Sequence, residues 1–242
     1  MVEILSSFRE DLGSFDPDRK YDSYHNSLPS VEEAEKELIA SAAMEDFLEA
    51  SKKIIVKHQL EKAVGLRLIH KHFSVEAGEI MMEEFLVHGE EPALVTHPVD
   101  TEKAKSAGAL PASWILSENG NFEVFETSTD PAIKRNIDLI NREFLKEMGE
   151  LLRERKMFGM LALAILRRDA LGVSSGQAYL EKTYPKQSIV KLRERSELSK
   201  HIRTSWSFSS EVDTLACEPD AFCDRSGDTH KQIDFHNDGS IQ

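Results

Sequence analysis

The chain has 242 residues, 40% of them hydrophobic and 30% charged, enough apolar mass for one large domain or two small ones. Its 30 Lys and Arg against 43 Asp and Glu give a formal charge of −13, which argues against a general nucleic-acid binder and against an anionic membrane surface as partner. With only 2 cysteines, a disulfide scaffold is excluded.

Residues 1–29 lack sustained periodicity and carry turn formers (Asp16-Pro17-Asp18, Asn26, Pro29), so an N-terminal arm is expected there. No basic leader precedes an apolar run at Met1–Glu10, which points to a cytoplasmic protein. Ser30-Val31-Glu32-Glu33 fits a capping box and predicts a helix over 30–57, with Val31, Ala34, Leu38, Phe47, Ile54 and Ile55 on its apolar face.

From Ala63 the period becomes two. Val64, Leu66, Leu68, His70 and His72 are predicted on one face of a strand, with Gly65, Arg67, Ile69 and Lys71 on the other. Ile80–Val87 and Leu94–Thr96 read as further strands. Asn119-Gly120, between Trp114–Leu116 and Phe122–Phe125, predicts a hairpin because both residues accept positive φ cheaply.

Asp130-Pro131 has the form of a cap followed by proline at the first helical position. Apolar spacing from Ile133 to Ile165 predicts one long helix over 131–171, bent near Gly149 or Gly159. Its apolar run Met157–Leu166 is far short of the roughly 20 residues that a spanning helix needs and reads as a buried helix. A short helix is expected over 188–203 and a strand at Ser205–Phe208. The resulting fold class is α+β: a small, mainly antiparallel sheet over 63–126 packed against the N-terminal and the long central helix. The domain would span 30–210, followed by an acidic Cys/His-bearing tail at 211–242.

Residues 131–203 hold 16 Lys and Arg against 9 Asp and Glu, whereas 211–242 hold 2 against 8. Such a basic helical region in an acidic chain suits an acidic protein partner, or is balanced by acidic segments of the same molecule.

His70-Lys71-His72 carries the sharpest chemistry. Two residues apart on a strand, both imidazoles project together and can meet one divalent metal ion. On a half-buried face they otherwise need hydrogen-bond partners, since an unsatisfied buried polar group costs about 1–3 kcal/mol. With Glu76, the pattern His70-x-His72-x-x-x-Glu76 resembles the first metal-binding motif of the cupin family, in which two histidines and a glutamate hold a metal inside a β-barrel. The family's second motif has no match downstream. The resemblance therefore implies a metal role for His70, His72 and Glu76, and not the cupin fold.

The second group is Cys217-x5-Cys223-x6-His230-x5-His236. Thiolate and imidazole suit zinc, and four such residues can close a tetrahedral site. A folded-over tail would let Cys217, Cys223 or His230 join His70 and His72; the alternative is a disordered acidic tail. The run Val64–Phe73 is also similar to a segment in a set of uncharacterised filamentous-fungal proteins, a resemblance that implies a source and no activity. The expectation is thus a metal-binding protein, a metalloenzyme for a small-molecule substrate if a coordination position stays open. The alternative is a non-catalytic interaction protein.

Overall fold

The structure is a computed structural model and describes residues 21–41, 44–88, 91–166, 173–174, 176–208 and 217–223. Among the described residues there are ten strands: β1 (Val64–Leu68), β2 (Glu79–His88), β3 (Glu91–Asp100), β4 (Leu110–Leu116), β5 (Phe122–Ser128), β6 (Leu161–Ile165), β7 (Gln177–Tyr184), β8 (Gln187–Glu194), β9 (Ile202–Phe208) and β10 (Cys217–Cys223). They close into one barrel in the order β1-β6-β4-β5-β2-β3-β8-β7-β10-β9, and β9 pairs back onto β1. All pairings are antiparallel except β2 with β5 and β7 with β10.

The closed barrel overturns the α+β expectation of a small sheet packed against two helices. Two segments read as helix are strands. Leu161–Ile165, expected inside the long helix, is β6, buried at every position between β1 and β4. A short unbroken apolar run satisfies a doubly buried strand as well as a helix, so periodicity could not separate them. Gln187–Glu194, expected as helix, pairs with β7 along its whole length.

The helices wrap the outside: α1 (Tyr21–Ser27), α2 (Val31–Ala40), α3 (Met44–Lys57), α4 (Thr101–Ser106), α5 (Ile133–Ile137) and α6 (Arg142–Glu154). The Ser30 capping box forms as its spacing requires: Glu33 N donates to Ser30 Oγ at 3.3 Å and Ser30 N to Glu33 Oε2 at 2.8 Å. The predicted 30–57 helix is two helices, α2 and α3. The expected long central helix is likewise α5 and α6, the latter capped by Asn141, whose Oδ1 accepts from Phe144 N. Gly149 lies within α6 against Leu116 and Phe122, and the chain turns away at Lys156 and Gly159, both at positive φ. Phe47, Ile55, Phe144, Met148 and Leu152 pack on Val64, Leu66, Leu68, Leu161 and Leu163, forming the main core between helices and barrel wall. The basic region 131–203 is therefore spread over helices and strands rather than concentrated on one helix.

Two segments expected outside the domain are built into it. From the arm, α1 buries Tyr21 and His25, and Tyr21 donates to Phe125 O at 2.7 Å. The Asn26 amide brackets Val75, donating to its carbonyl and accepting from its N–H, each at 2.9 Å. From the tail, Cys217–Cys223 is β10 and completes the barrel. Among the described residues no helix is long and apolar enough to cross a membrane.

β1 and β9 approach closely at Gly65. A Cβ there would stand 2.5 Å from Trp206 O and 2.8 Å from Leu166 Cδ2, and the first neighbour is backbone. We expect Gly65→Ala to destabilise the fold by about 1–3 kcal/mol, the usual cost of overpacking. A lower denaturation midpoint at unchanged slope would show it.

Candidate metal centre

β1 ends at Leu68, and the chain leaves the sheet before either histidine. Ile69 N donates to Met160 O at 2.8 Å and Lys71 N to Pro29 O at 3.0 Å, bonds that hold the departing segment in place. Strand alternation therefore does not reach His70 and His72, which correct the expectation that they share the face of Val64, Leu66 and Leu68. Those three leucine and valine side chains support the outer helices. The imidazoles instead border the barrel's inner cavities together with Arg67. The two rings still meet, edge to face, with centroids 4.6 Å apart.

The other half of the site comes from sheet register. β10 runs parallel to β7 with Cys223 beside Glu181. The pairing of β10 with β9 shifts register between Pro219 and Phe222, directly before Cys223. Such irregularities commonly re-aim a side chain. One ligand atom each from His70, His72, Glu181 and Cys223 lies within 4.8 Å of the others, and the group could hold a metal ion. Cys223 Sγ stands 3.5 Å from His70 Nε2 and 3.4 Å from Glu181 Oε2, and His72 Nε2 stands 3.1 Å from Glu181 Oε1. Donors on a tetrahedral zinc ion are about 3.3–3.8 Å apart, given bonds of about 2.0–2.3 Å.

The surrounding bonds orient these donors. His70 Nδ1–H donates to Leu68 O at 2.9 Å, since a carbonyl can only accept, so its Nε2 lone pair faces Cys223. His72 Nδ1 lies 2.6 Å from Thr183 Oγ1. Ser188 Oγ donates to Glu181 Oε1 at 2.5 Å. Partners of this kind set which nitrogen of each ring is free for a metal.

The electrostatics follow from burial. Burial, then the neighbouring His72, push His70 down to about 3, so it is a neutral imidazole at physiological pH. Burial opposes charge on His72 as well, yet the charge and hydrogen bond of Glu181 outweigh it and raise its pKa. For Glu181, burial favours the acid form, but His72, then His70 and Arg67, hold it well below the usual carboxylate range. Burial, then the Glu181 charge, push the Cys223 thiol well above its ordinary value. A protonated thiol beside a neutral imidazole is not the thiolate–imidazolium pair of a cysteine nucleophile. A metal ion reverses this, because a coordinating thiol is deprotonated.

Arg67 was expected on the strand face opposite the histidines. It lies inside the barrel with them, in an ion pair with Glu126, which also accepts from Ser113 Oγ. Burial works against the guanidinium's charge, but Glu126, Glu83 and Glu181 outweigh it and hold its pKa up.

Of the residues singled out from sequence, His70, His72 and Cys223 are brought together. Glu76 is not: it is exposed and ion-paired with Lys186 at 2.7 Å, because it sits in the turn before β2 rather than on a strand. Cys217 opens β10, but its side chain lies outside the described residues, as do His230 and His236. Glu181 was missed. Its signal was only a polar residue in phase with Tyr179 and Thr183 on a strand, which becomes meaningful once β7 is known to border β10.

No protein-family model, no curated protein and no solved structure matches the chain. The reading of the site therefore rests on its geometry.

The His72 and Cys223 pKa values are both raised, so a metal must compete with protons for these donors up to a higher pH than for the free groups. Metal affinity should accordingly climb as pH rises through and above the ordinary imidazole range, with proton release on binding. Competition titrations at several pH values would measure it; a pH-independent affinity would contradict this protonation scheme.

Proposed function

We propose that the chain is a metal-binding protein whose barrel interior holds zinc through His70, His72, Glu181 and Cys223. The observation that carries this is the convergence of four donors from three separate segments: the stretch after β1, β7 and β10. Two imidazoles, a carboxylate and a thiolate are donors suited to zinc. Cys223 is a free cysteine, and a centre that depends on a reduced thiol fits a cytoplasmic setting. Because Cys223 closes β10, the metal would tie the strand that completes the barrel to the segment after β1.

A second reading is favoured by the two cavities beside the centre, which border His70 and Glu181 but not Cys223. His70, His72 and Glu181 alone make the two-histidine, one-carboxylate set of non-haem iron(II) sites with open positions. That reading makes the protein a metalloenzyme for a very small substrate.

Elemental analysis of the purified protein separates these. We expect about one zinc per chain, lost in Cys223→Ser and in the His70→Ala/His72→Ala double variant, and retained in Glu76→Gln. Iron that survives Cys223→Ser would select the second reading. A folded protein that takes up neither metal from excess would overturn both. Chelation should also lower the melting temperature by several degrees, since a ligand at about 1,000 times its Kd stabilises by about 4 kcal/mol.

A further inference from the structure

The space beside the four donors is itself a built site. A cavity of about 20 Å³ borders His70, His72 and Glu181 on one side. Its remaining polar wall is His25 from α1, Arg67 from β1, Thr96 from β3 and Glu126 from β5. One water needs about 10–15 Å³ of such room and two to four polar partners. The cavity therefore suits one ligand of very few atoms.

His25 is the telling residue. It is 3% exposed, its ring has the Asn26 side chain as a polar neighbour, and its Nδ1 has no hydrogen-bond partner of good geometry among the described residues. Its ring is held rigidly by stacking on Tyr21 at 5.7 Å and on Phe125 at 6.1 Å. A buried ring nitrogen without a partner is costly, and a ligand in the cavity it borders would satisfy it. Charge selects the kind of ligand. A metal dication at the centre would draw an anion into this space, whose wall holds the Arg67 guanidinium paired with Glu126 and the Glu181 carboxylate that would itself bind the metal.

We propose that this cavity is an exogenous-ligand subsite of the metal centre, holding water and exchanging it for small anions, with His25 and Thr96 as its recognition groups. The proposal rests on the metal-binding reading above. It takes the form of that reading in which His70, His72 and Glu181 alone leave coordination positions open, and adds a size limit of about three heavy atoms.

The test uses the full chain loaded with cobalt(II), whose visible absorption reports coordination number, titrated with azide. We expect azide to change the spectrum saturably. In His25→Phe, which keeps the aromatic stack, and in Thr96→Val, which keeps the shape, azide binding should weaken about tenfold, the worth of one hydrogen bond. Cobalt uptake at about one ion per chain should be retained in whichever variant folds. Thermal melts would identify a variant that does not fold, and the other then carries the test. A cobalt spectrum that depends on His70 and His72 yet ignores azide would overturn the subsite and leave the metal reading standing. An azide response unaltered in a folded variant would overturn the assignment to this cavity. The absence of any cobalt spectrum would overturn both.

Discussion

The parallel pairing of β7 with β10 is the contact on which the rest depends. It completes the ring of strands, and the same register sets Cys223 beside Glu181. Closure satisfies the backbone groups of what would otherwise be two exposed edges. It also brings the Cys223 thiol within 3.4 Å of the Glu181 carboxylate. Without it the thiol would be lost, and only His70, His72 and Glu181, held on β7 by its pairing with β8, would remain as donors.

The barrel interior carries charge rather than only apolar filling. Arg67, Glu126, Glu181 and the two histidines form one interacting set. Burying charges costs several kcal/mol per ion unless they are paired and hydrogen-bonded. Here the ion pairs Arg67–Glu126 and His72–Glu181, with Ser113, Ser188 and Thr183, supply that compensation. The main apolar core is displaced outward, between the wall and α2, α3 and α6. That division of labour leaves the inside free for chemistry while the outside supplies stability.

Local signals in the sequence were legible wherever the physics is local. The Ser30 capping box, the strands at Ile80–Val87 and Ser205–Phe208, and the Asn119-Gly120 turn all depend on neighbouring residues, and all form. That turn spans Ser117–Asn121 between β4 and β5, with Gly120 at positive φ. The failures share a cause as well. β6 was read as helix because an apolar run buried on both faces has no periodicity to betray it. Alternation was carried through β1 onto His70 and His72, although the strand stops at Leu68. Glu76 entered through its spacing from the two histidines, and Lys186 holds it elsewhere.

By itself the sequence determined which residue types were available for the site and where β1, β2, β5 and α2 begin. Two imidazoles separated by one residue stay near each other in almost any backbone, so His70 and His72 could be paired without knowing the fold. The partners of that pair were a matter of tertiary structure alone. Glu181 and Cys223 are more than a hundred residues away, and only closure of the barrel brings their side chains to the histidines. Strand order and register between distant segments depend on long-range pairing that local patterns do not encode.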